Sequence, residues 1–132
     1  ERLLASQEPI HDRLLTYADD TLATFEAARP LHPLILELFA LSRRQAFAAA
    51  VFTSYFNRYR DALSDLLTAA HASGAIDLRT FGGDARQAAL SFITTLEGAL
   101  LLALIDPGIL DLHRDGGSLM RAWLNQINPT QA

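Results

Sequence analysis

The sequence predicts an all-α fold, an antiparallel bundle of about five to six helices. Apolar residues recur at helical spacing along most of the chain, while the alternating pattern of strands is almost missing. Proline and glycine interrupt the helical pattern at intervals that suit helix lengths. The 132 residues are enough for one domain with a core and too few for two, so a single domain is expected over residues 1–132.

The first predicted helix follows Glu8-Pro9, because proline is tolerated in a first helical turn. Arg29-Pro30 is expected to end it. Its apolar positions follow helical spacing and are Ile10, Leu14, Tyr17, Ala18, Leu22 and Phe25. The chain begins at Glu1 and not at a methionine, which indicates a trimmed chain, and residues 1–7 are expected to be the tail of an earlier helix.

Two further helical segments follow. Leu34–Leu41, opened by Pro33, is hydrophobic nearly all round and is therefore expected in the middle of the bundle. A long helix after Ser42 is expected to end at Gly74, with Ile76 in apolar contact beyond a left-handed glycine cap. Its apolar stripe consists of Phe47, Val51, Tyr55, Tyr59, Leu63, Leu66 and Ala70. The junction near residues 43–46 is compatible with a kink, a short loop or a continuous helix.

The fourth predicted helix, which Asp84 begins and Asp106-Pro107 ends, is apolar on two opposite faces. One stripe carries Phe92, Leu96, Leu100 and Ala103, and the other carries Leu90, Ile93, Leu101 and Leu104, interrupted by Thr94 and Glu97. Asp84 is the predicted N-cap, with Gln87 as its capping-box partner. One face can pack on the domain's own core, and the other needs a partner subunit or a ligand cavity.

The last predicted helix ends at Asn128-Pro129, and Gly116-Gly117 leaves its start undefined. One of its faces is apolar and carries Leu119, Met120, Trp123, Leu124 and Ile127.

Composition excludes several function classes. The chain has no cysteine, which removes disulfides, thiolate metal sites and cysteine nucleophiles. All 11 basic residues are arginine, so lysine-dependent chemistry is excluded as well. A net charge of −4 with scattered arginines argues against DNA binding by this segment alone. No uninterrupted apolar run reaches the ~20 residues of a membrane span, and no signal peptide precedes the first helix, so a soluble, cytoplasmic protein is expected.

Catalytic and metal motifs are weak. Glu8-Pro9-Ile10-His11 matches the Glu-x-x-His pattern of di-iron bundles, but a second copy is absent and Glu8 lies at a helix start. His32, His71 and His113 lie near predicted helix ends or turns, where solvated or capping histidines are usual. The nucleophile elbow, the phosphate loop and the zinc-protease motif are missing from the sequence. We therefore expect no enzymatic activity, no metal and no cofactor.

Three segments, in their order and spacing, carry a family resemblance. They are Pro33–Leu41, then Tyr55–Leu63 continuing to Ser73-Gly74-Ala75-Ile76, and Asp84-Ala85-Arg86-Gln87-Ala88-Ala89 leading to Leu96-Glu97-Gly98-Ala99-Leu100 and Asp106-Pro107. Together they resemble the C-terminal ligand-binding and dimerisation domain of TetR-family transcriptional regulators. The first segment looks like the central pocket helix of that family, the second like the long helix that follows, and the third like its penultimate helix.

The resemblance implies a bacterial, cytoplasmic homodimer in which the last two helices pair with their symmetry mates. It implies a pocket for a small, usually apolar or amphipathic effector between the preceding helices. It also implies a DNA-reading helix-turn-helix upstream, which these 132 residues do not contain, so DNA contact is expected only through such a domain. Residues 1–7 would then be the remnant of the helix that connects the two domains. Effector binding would then shift the population of dimer states, most commonly to release a repressor.

The alternative to an effector-binding domain is an all-α dimeric interaction module without a pocket, whose second apolar face binds a partner helix. For effector binding, the candidate residues combine aromatic area with polar groups that can orient a ligand, and they are Phe39, Tyr55, Tyr59, Thr94, Glu97 and Leu101. A carboxylate at the edge of an apolar cavity could recognise a cationic or hydroxylated group. The three aromatic residues are equally compatible with an ordinary core, and Glu97 with an arginine pair at the dimer interface.

For the dimer interface, the candidates come from the last two predicted helices and are Phe92, Leu96, Leu100, Ala103, Trp123, Leu124 and Ile127. Trp123 is the expected anchor, because tryptophan concentrates at interface centres. The alternative for Trp123 is a core residue that closes one end of the bundle.

Overall fold

The computed structural model describes residues 7–129, and this part of the chain contains five α-helices and no strand. The helices are α1 (Ile10–Ala27), α2 (His32–Ser42), α3 (Ala46–Ala72), α4 (Ala85–Ile105) and α5 (Gly117–Asn125). Short 3₁₀ turns precede α2 and α4, and a π-helical turn, Leu112–Gly116, precedes α5. The all-α prediction is confirmed. Nearly all of the predicted connecting-helix remnant, residues 1–6, lies outside the described residues.

Local sequence signals account for most helix ends. Asp84 caps α4, since its Oδ1 accepts hydrogen bonds from the backbone N–H groups of Arg86 at 2.8 Å and Gln87 at 3.2 Å. The reciprocal half of the predicted capping box does not form, because the Asp84 N–H donates to the Phe81 carbonyl at 3.1 Å. After α3, Gly74 adopts a left-handed φ of 78°, as predicted. The undefined junction between α2 and α3 is a short loop, residues 43–45.

Helix α1 packs on α5, on α4 and on the π-helical turn. It buries Ile10, Leu14, Ala18 and Leu22, one residue per turn, as the helical spacing predicted. The contact with the π-helical turn is close. A Cβ added at Gly116 would lie 2.9 Å from Leu22 Cδ1, so a glycine at this position allows the two segments to approach.

Helix α4 is the centre of the bundle and packs against α3, α5 and α1. Its inward face is continuous and contains Ala88, Ala89, Phe92, Ile93, Leu96, Ala99, Leu100 and Ala103. By length and composition alone α4 is apolar enough to cross a membrane, and half of its apolar window is buried inside the chain. A core helix of a soluble protein meets the same criterion.

The structure corrects the predicted dimer interface. All seven candidates, Phe92, Leu96, Leu100, Ala103, Trp123, Leu124 and Ile127, are buried within the single chain, so they have almost no surface left for a partner. Trp123 shows why. Its indole N–H donates to Ser91 Oγ at 3.1 Å, and its ring packs edge-to-face on Phe92 at a centroid distance of 5.0 Å. Trp123 is therefore a core residue of the single chain, and its contacts join α5 to α4.

The prediction that Leu34–Leu41 lies in the middle of the bundle is wrong. Helix α2 packs mainly on α3 and on the turn before it, and it has no buried residue. The amino-terminal part of α3 is also uncovered, with Phe47 82% exposed, and α3 buries only Leu63 and Leu67. A helix that is apolar all round can be covered by other helices on every side or on only some sides. Here one side of α2 faces a gap beside α4.

Replacing Leu96 by alanine tests the orientation of α4, and the same replacement at Leu101 on the same helix is the matched control. Leu96 is 0% exposed and Leu101 is 44% exposed. We expect Leu96→Ala to lower the free energy of unfolding by about 2–5 kcal/mol, because it leaves a cavity in the core. Leu101→Ala should lower it by less than about 1 kcal/mol. Urea unfolding followed by circular dichroism measures both losses, and equal losses would contradict the inward position of Leu96.

Candidate functional site

The gap between α2 and α4 forms an apolar cavity of about 630 Å³ that opens to solvent. This cavity, called here the α2–α4 groove, has a volume typical of small-molecule sites. Helix α2 contributes Ile35, Leu36 and Phe39, and Phe25 and Phe56 come from α1 and α3. The opposite wall is α4, which contributes Ile93, Thr94, Glu97, Gly98, Leu100, Leu101 and Leu104.

A second cavity of about 650 Å³, called here the α1 cavity, adjoins the groove. Its polar lining comes from Tyr17, Asp20, Thr21 and Thr24 of α1, from Tyr55 of α3 and from Glu97. The two cavities share four lining residues, which are Phe25, Ile35, Glu97 and Leu100. Because Glu97 faces both cavities, a ligand in either one would meet its carboxylate.

The structure brings together most of the residues predicted for ligand binding. Phe39, Thr94, Glu97 and Leu101 line the α2–α4 groove, and Tyr55 lines the α1 cavity. Tyr59 lines neither cavity, but its ring lies 6.3 Å from that of Tyr55. Their role in binding stays a prediction, whereas their arrangement around one site is a feature of the fold.

Sequence reasoning assigned Tyr17 and Phe25 to the apolar stripe of α1 and not to a site. In the structure both are half-buried and line the α1 cavity, and Phe25 lines the groove as well. The available signal was composition, because these are the aromatic residues in a stripe that is otherwise aliphatic. Phe56 also lines the groove, one position away from the predicted stripe of α3.

Three tyrosines cluster behind Glu97. The ring of Tyr59 lies 5.6 Å from that of Tyr17, and the Tyr59 hydroxyl is buried. Burial raises the pKa of Tyr59 well above its ordinary value, and the nearby Tyr17, Glu97 and Tyr55 add to the increase. Burial, Tyr17 and Glu97 also raise the pKa of Tyr55. These hydroxyls therefore remain neutral at physiological pH and offer hydrogen bonds without charge.

Glu97 carries the negative charge of this cluster. Burial raises the pKa of its carboxyl group above the ordinary 4.5, because desolvation disfavours the ionised form. Within residues 7–129, Glu97 has no hydrogen-bond or ion-pair partner. Glu97 therefore does not pair with an arginine inside this part of the single chain, and its carboxylate is available to a ligand.

The described part of the chain contains no cluster of side chains suited to a metal ion. Among residues 7–129, no group of three or more histidine, aspartate or glutamate side chains is arranged to hold a metal ion. His32 and His113 do line another cavity, of about 340 Å³, together with Glu26, Arg29 and Asp111. Both signs of charge meet there, unlike in the α2–α4 groove.

Comparison of the chain with protein-family models, curated proteins and solved structures finds no match. The function is therefore inferred from the geometry and charge of the groove.

Replacing Glu97 by glutamine should stabilise the ligand-free protein at neutral pH. A raised folded-state pKa means that the folded chain loses stability as pH rises above 4.5 and Glu97 ionises. The neutral Glu97→Gln side chain removes this loss. Its advantage should be largest above the folded-state pKa and should disappear below pH 4.5, where the carboxyl group is protonated in both the folded and the unfolded state.

Thermal unfolding between pH 4 and pH 8 measures this difference. Tyr17, Tyr55, Tyr59 and Asp20 surround Glu97, and the same four groups are present in the variant. Glu37→Gln, at an exposed position on α2, is the matched control and should leave the melting temperature nearly unchanged at every pH. An advantage for Glu97→Gln that grows toward acid pH would contradict the assignment.

Proposed function

We propose that this chain is the effector-binding and homodimerisation domain of a TetR-like, DNA-binding transcriptional regulator. In this proposal a small amphipathic molecule binds in the α2–α4 groove and releases a repressor in the cytoplasm. The observation that carries the proposal is a ligand-sized apolar cavity lined by the Glu97 carboxylate, which has no hydrogen-bond or ion-pair partner among the described residues. The domain has no catalytic role in this account.

The packing of α2 supports a ligand-responsive site. Helix α2 forms one wall of the groove without a single buried residue, so a ligand that touches α2 and α4 would cover apolar surface on both. Helix α1 also reaches the site through Phe25 and Tyr17. In this proposal α1 is the route by which binding changes the position of an upstream DNA-binding domain.

The proposed dimer uses the same two helices as the sequence prediction but different faces. Helices α4 and α5 expose apolar side chains that line neither cavity, namely Leu102, Ile105, Leu119 and Ala122. Leu102 and Ile105 are three residues apart and share one side of α4. A two-fold axis would place the same pair of helices from each subunit in contact, which gives a closed dimer.

A second candidate is an interaction module that binds a partner helix and no small molecule. The exposure of Leu34 and Leu38 on α2 and of Phe47 on α3 favours it, because a partner could cover this apolar surface. The two candidates differ in one respect that can be measured. Only the effector-binding domain responds to small molecules that fill the groove.

A groove-filling substitution tests the effector site. The ligand-free 132-residue chain is screened by thermal shift against hydrophobic cations, acids and neutral aromatic compounds. A compound at one hundred times its dissociation constant should stabilise the protein by about 2.7 kcal/mol. Thr94→Trp should abolish this shift, because Thr94 is exposed and lines the groove, so the larger ring occupies the space without disturbing the core.

Leu34→Trp is the matched control, since Leu34 lies on α2 but does not line the groove, and it should retain the thermal shift. A screen in which no compound stabilises the protein would favour the interaction module. Retention of the full shift in Thr94→Trp would place the binding site elsewhere.

Charge substitutions test the dimer surface. The double variant Leu102→Glu, Ile105→Glu should be monomeric, because it places like charges opposite each other across the two-fold axis. Leu34→Glu, Leu38→Glu changes equally exposed leucines on α2 and should remain dimeric. Light scattering coupled to size-exclusion chromatography gives the mass of each variant. A monomeric wild-type chain, or a dimeric Leu102→Glu, Ile105→Glu variant, would overturn this surface.

A further inference from the structure

Charge distinguishes the site around Glu97 from the cavity lined by His32 and His113. Among the described residues that line the α2–α4 groove and the α1 cavity there is no arginine and no histidine. The acidic lining residues are Glu97, which both cavities share, and Asp20 of the α1 cavity. A bound anion would meet only like charge, whereas a bound cation would meet a carboxylate that has no partner.

Aromatic rings supply the second part of the argument. Phe25 lines both cavities, Tyr17 and Tyr55 line the α1 cavity, and Phe39 and Phe56 line the groove. The negative face of an aromatic ring attracts cations, and the attraction grows as water is excluded. Around Glu97, aromatic rings and acidic side chains therefore occur together.

We propose that the ligand of this site is an organic cation with an apolar or aromatic body, held by the Glu97 carboxylate and by the rings of Tyr17, Phe25 and Tyr55. This inference rests on the proposed function, because it names the class of molecule that the effector site takes. A charge-matched cation would balance a carboxylate that the fold leaves half-buried and unpaired.

The cation is of the weakly hydrated type, with a quaternary or delocalised charge. A primary ammonium group needs about three hydrogen-bond acceptors when it leaves water. The α2–α4 groove offers few, because Thr94 and Glu97 are the polar side chains among its described lining residues. A cation that forms no hydrogen bonds loses less hydration on entering such a cavity.

Two ions of the same shape and opposite charge provide the test. Tetraphenylphosphonium and tetraphenylborate are titrated into the 132-residue chain by calorimetry, and the neutral fluorescent probe N-phenyl-1-naphthylamine is titrated alongside. We expect tetraphenylphosphonium to bind at least about tenfold more tightly than tetraphenylborate, because the only charge within the cavities is negative.

Substitutions at Glu97 identify the group responsible. Glu97→Gln should weaken tetraphenylphosphonium binding by about tenfold and leave the neutral probe unchanged. Glu97→Asp keeps the charge and should keep most of the preference for the cation. Glu37→Gln on the exposed side of α2 should change neither ligand. The comparison of the two ions on the wild-type chain decides the question even where a variant fails to fold.

The outcomes separate this inference from the proposed function. Binding of the neutral probe or of tetraphenylborate at least as tight as binding of tetraphenylphosphonium would keep the effector site and overturn the cation. Failure of all three probes to bind would overturn the effector site and the cation together. A cation preference that survives Glu97→Gln would also overturn the inference, because the carboxylate would then not be its source.

Discussion

The structure depends on one constraint: α4 is apolar on more sides than its own chain covers. Its inward face, from Ala88 to Ala103, is buried against α1, α3 and α5 and forms the centre of the core. The side that carries Thr94, Glu97 and Leu101 faces α2 across an open groove. Leu102 and Ile105, near the carboxyl end of α4, are exposed and line neither cavity. Exposed apolar surface of this kind favours a ligand in the groove and a second subunit near the end of the helix.

Glu97 gives the groove its chemical character. A carboxylate beside apolar surface destabilises the folded chain when it ionises, and the raised pKa of Glu97 expresses that loss. Structural ion pairs normally offset such a loss, yet the described arginines do not reach Glu97. The clustering of Tyr17, Tyr55 and Tyr59 near the carboxylate adds hydroxyls and ring faces beside the point where the two cavities meet.

Periodicity and capping signals were sufficient for the fold class, for the burial of α1 and for the cap at Asp84, because these depend on local geometry. They were not sufficient for the orientation of α4. Both of its stripes are apolar, so burial of Leu96 and Phe92 inside the chain or at a dimer interface gives the same pattern. The sequence wrongly predicted α2 in the middle of the bundle. Whether its second side is covered depends on how far α2 lies from α4, and periodicity does not give that distance. The place of Tyr17 in the site could not be predicted for the same reason. Its half-burial at the edge of the apolar stripe of α1 depends on tertiary packing.

Amide hydrogen exchange of the ligand-free chain tests the central claim most directly. It compares α2 and α4, two apolar helices of which only α4 is buried by its neighbours. If α2 is one uncovered wall of a groove, the amides of residues 32–42 exchange much faster than those of residues 88–103 in α4, and they slow when a groove ligand is added. Protection of α2 that equals that of α4, and that a ligand does not change, would mean that α2 is already covered and would contradict the account.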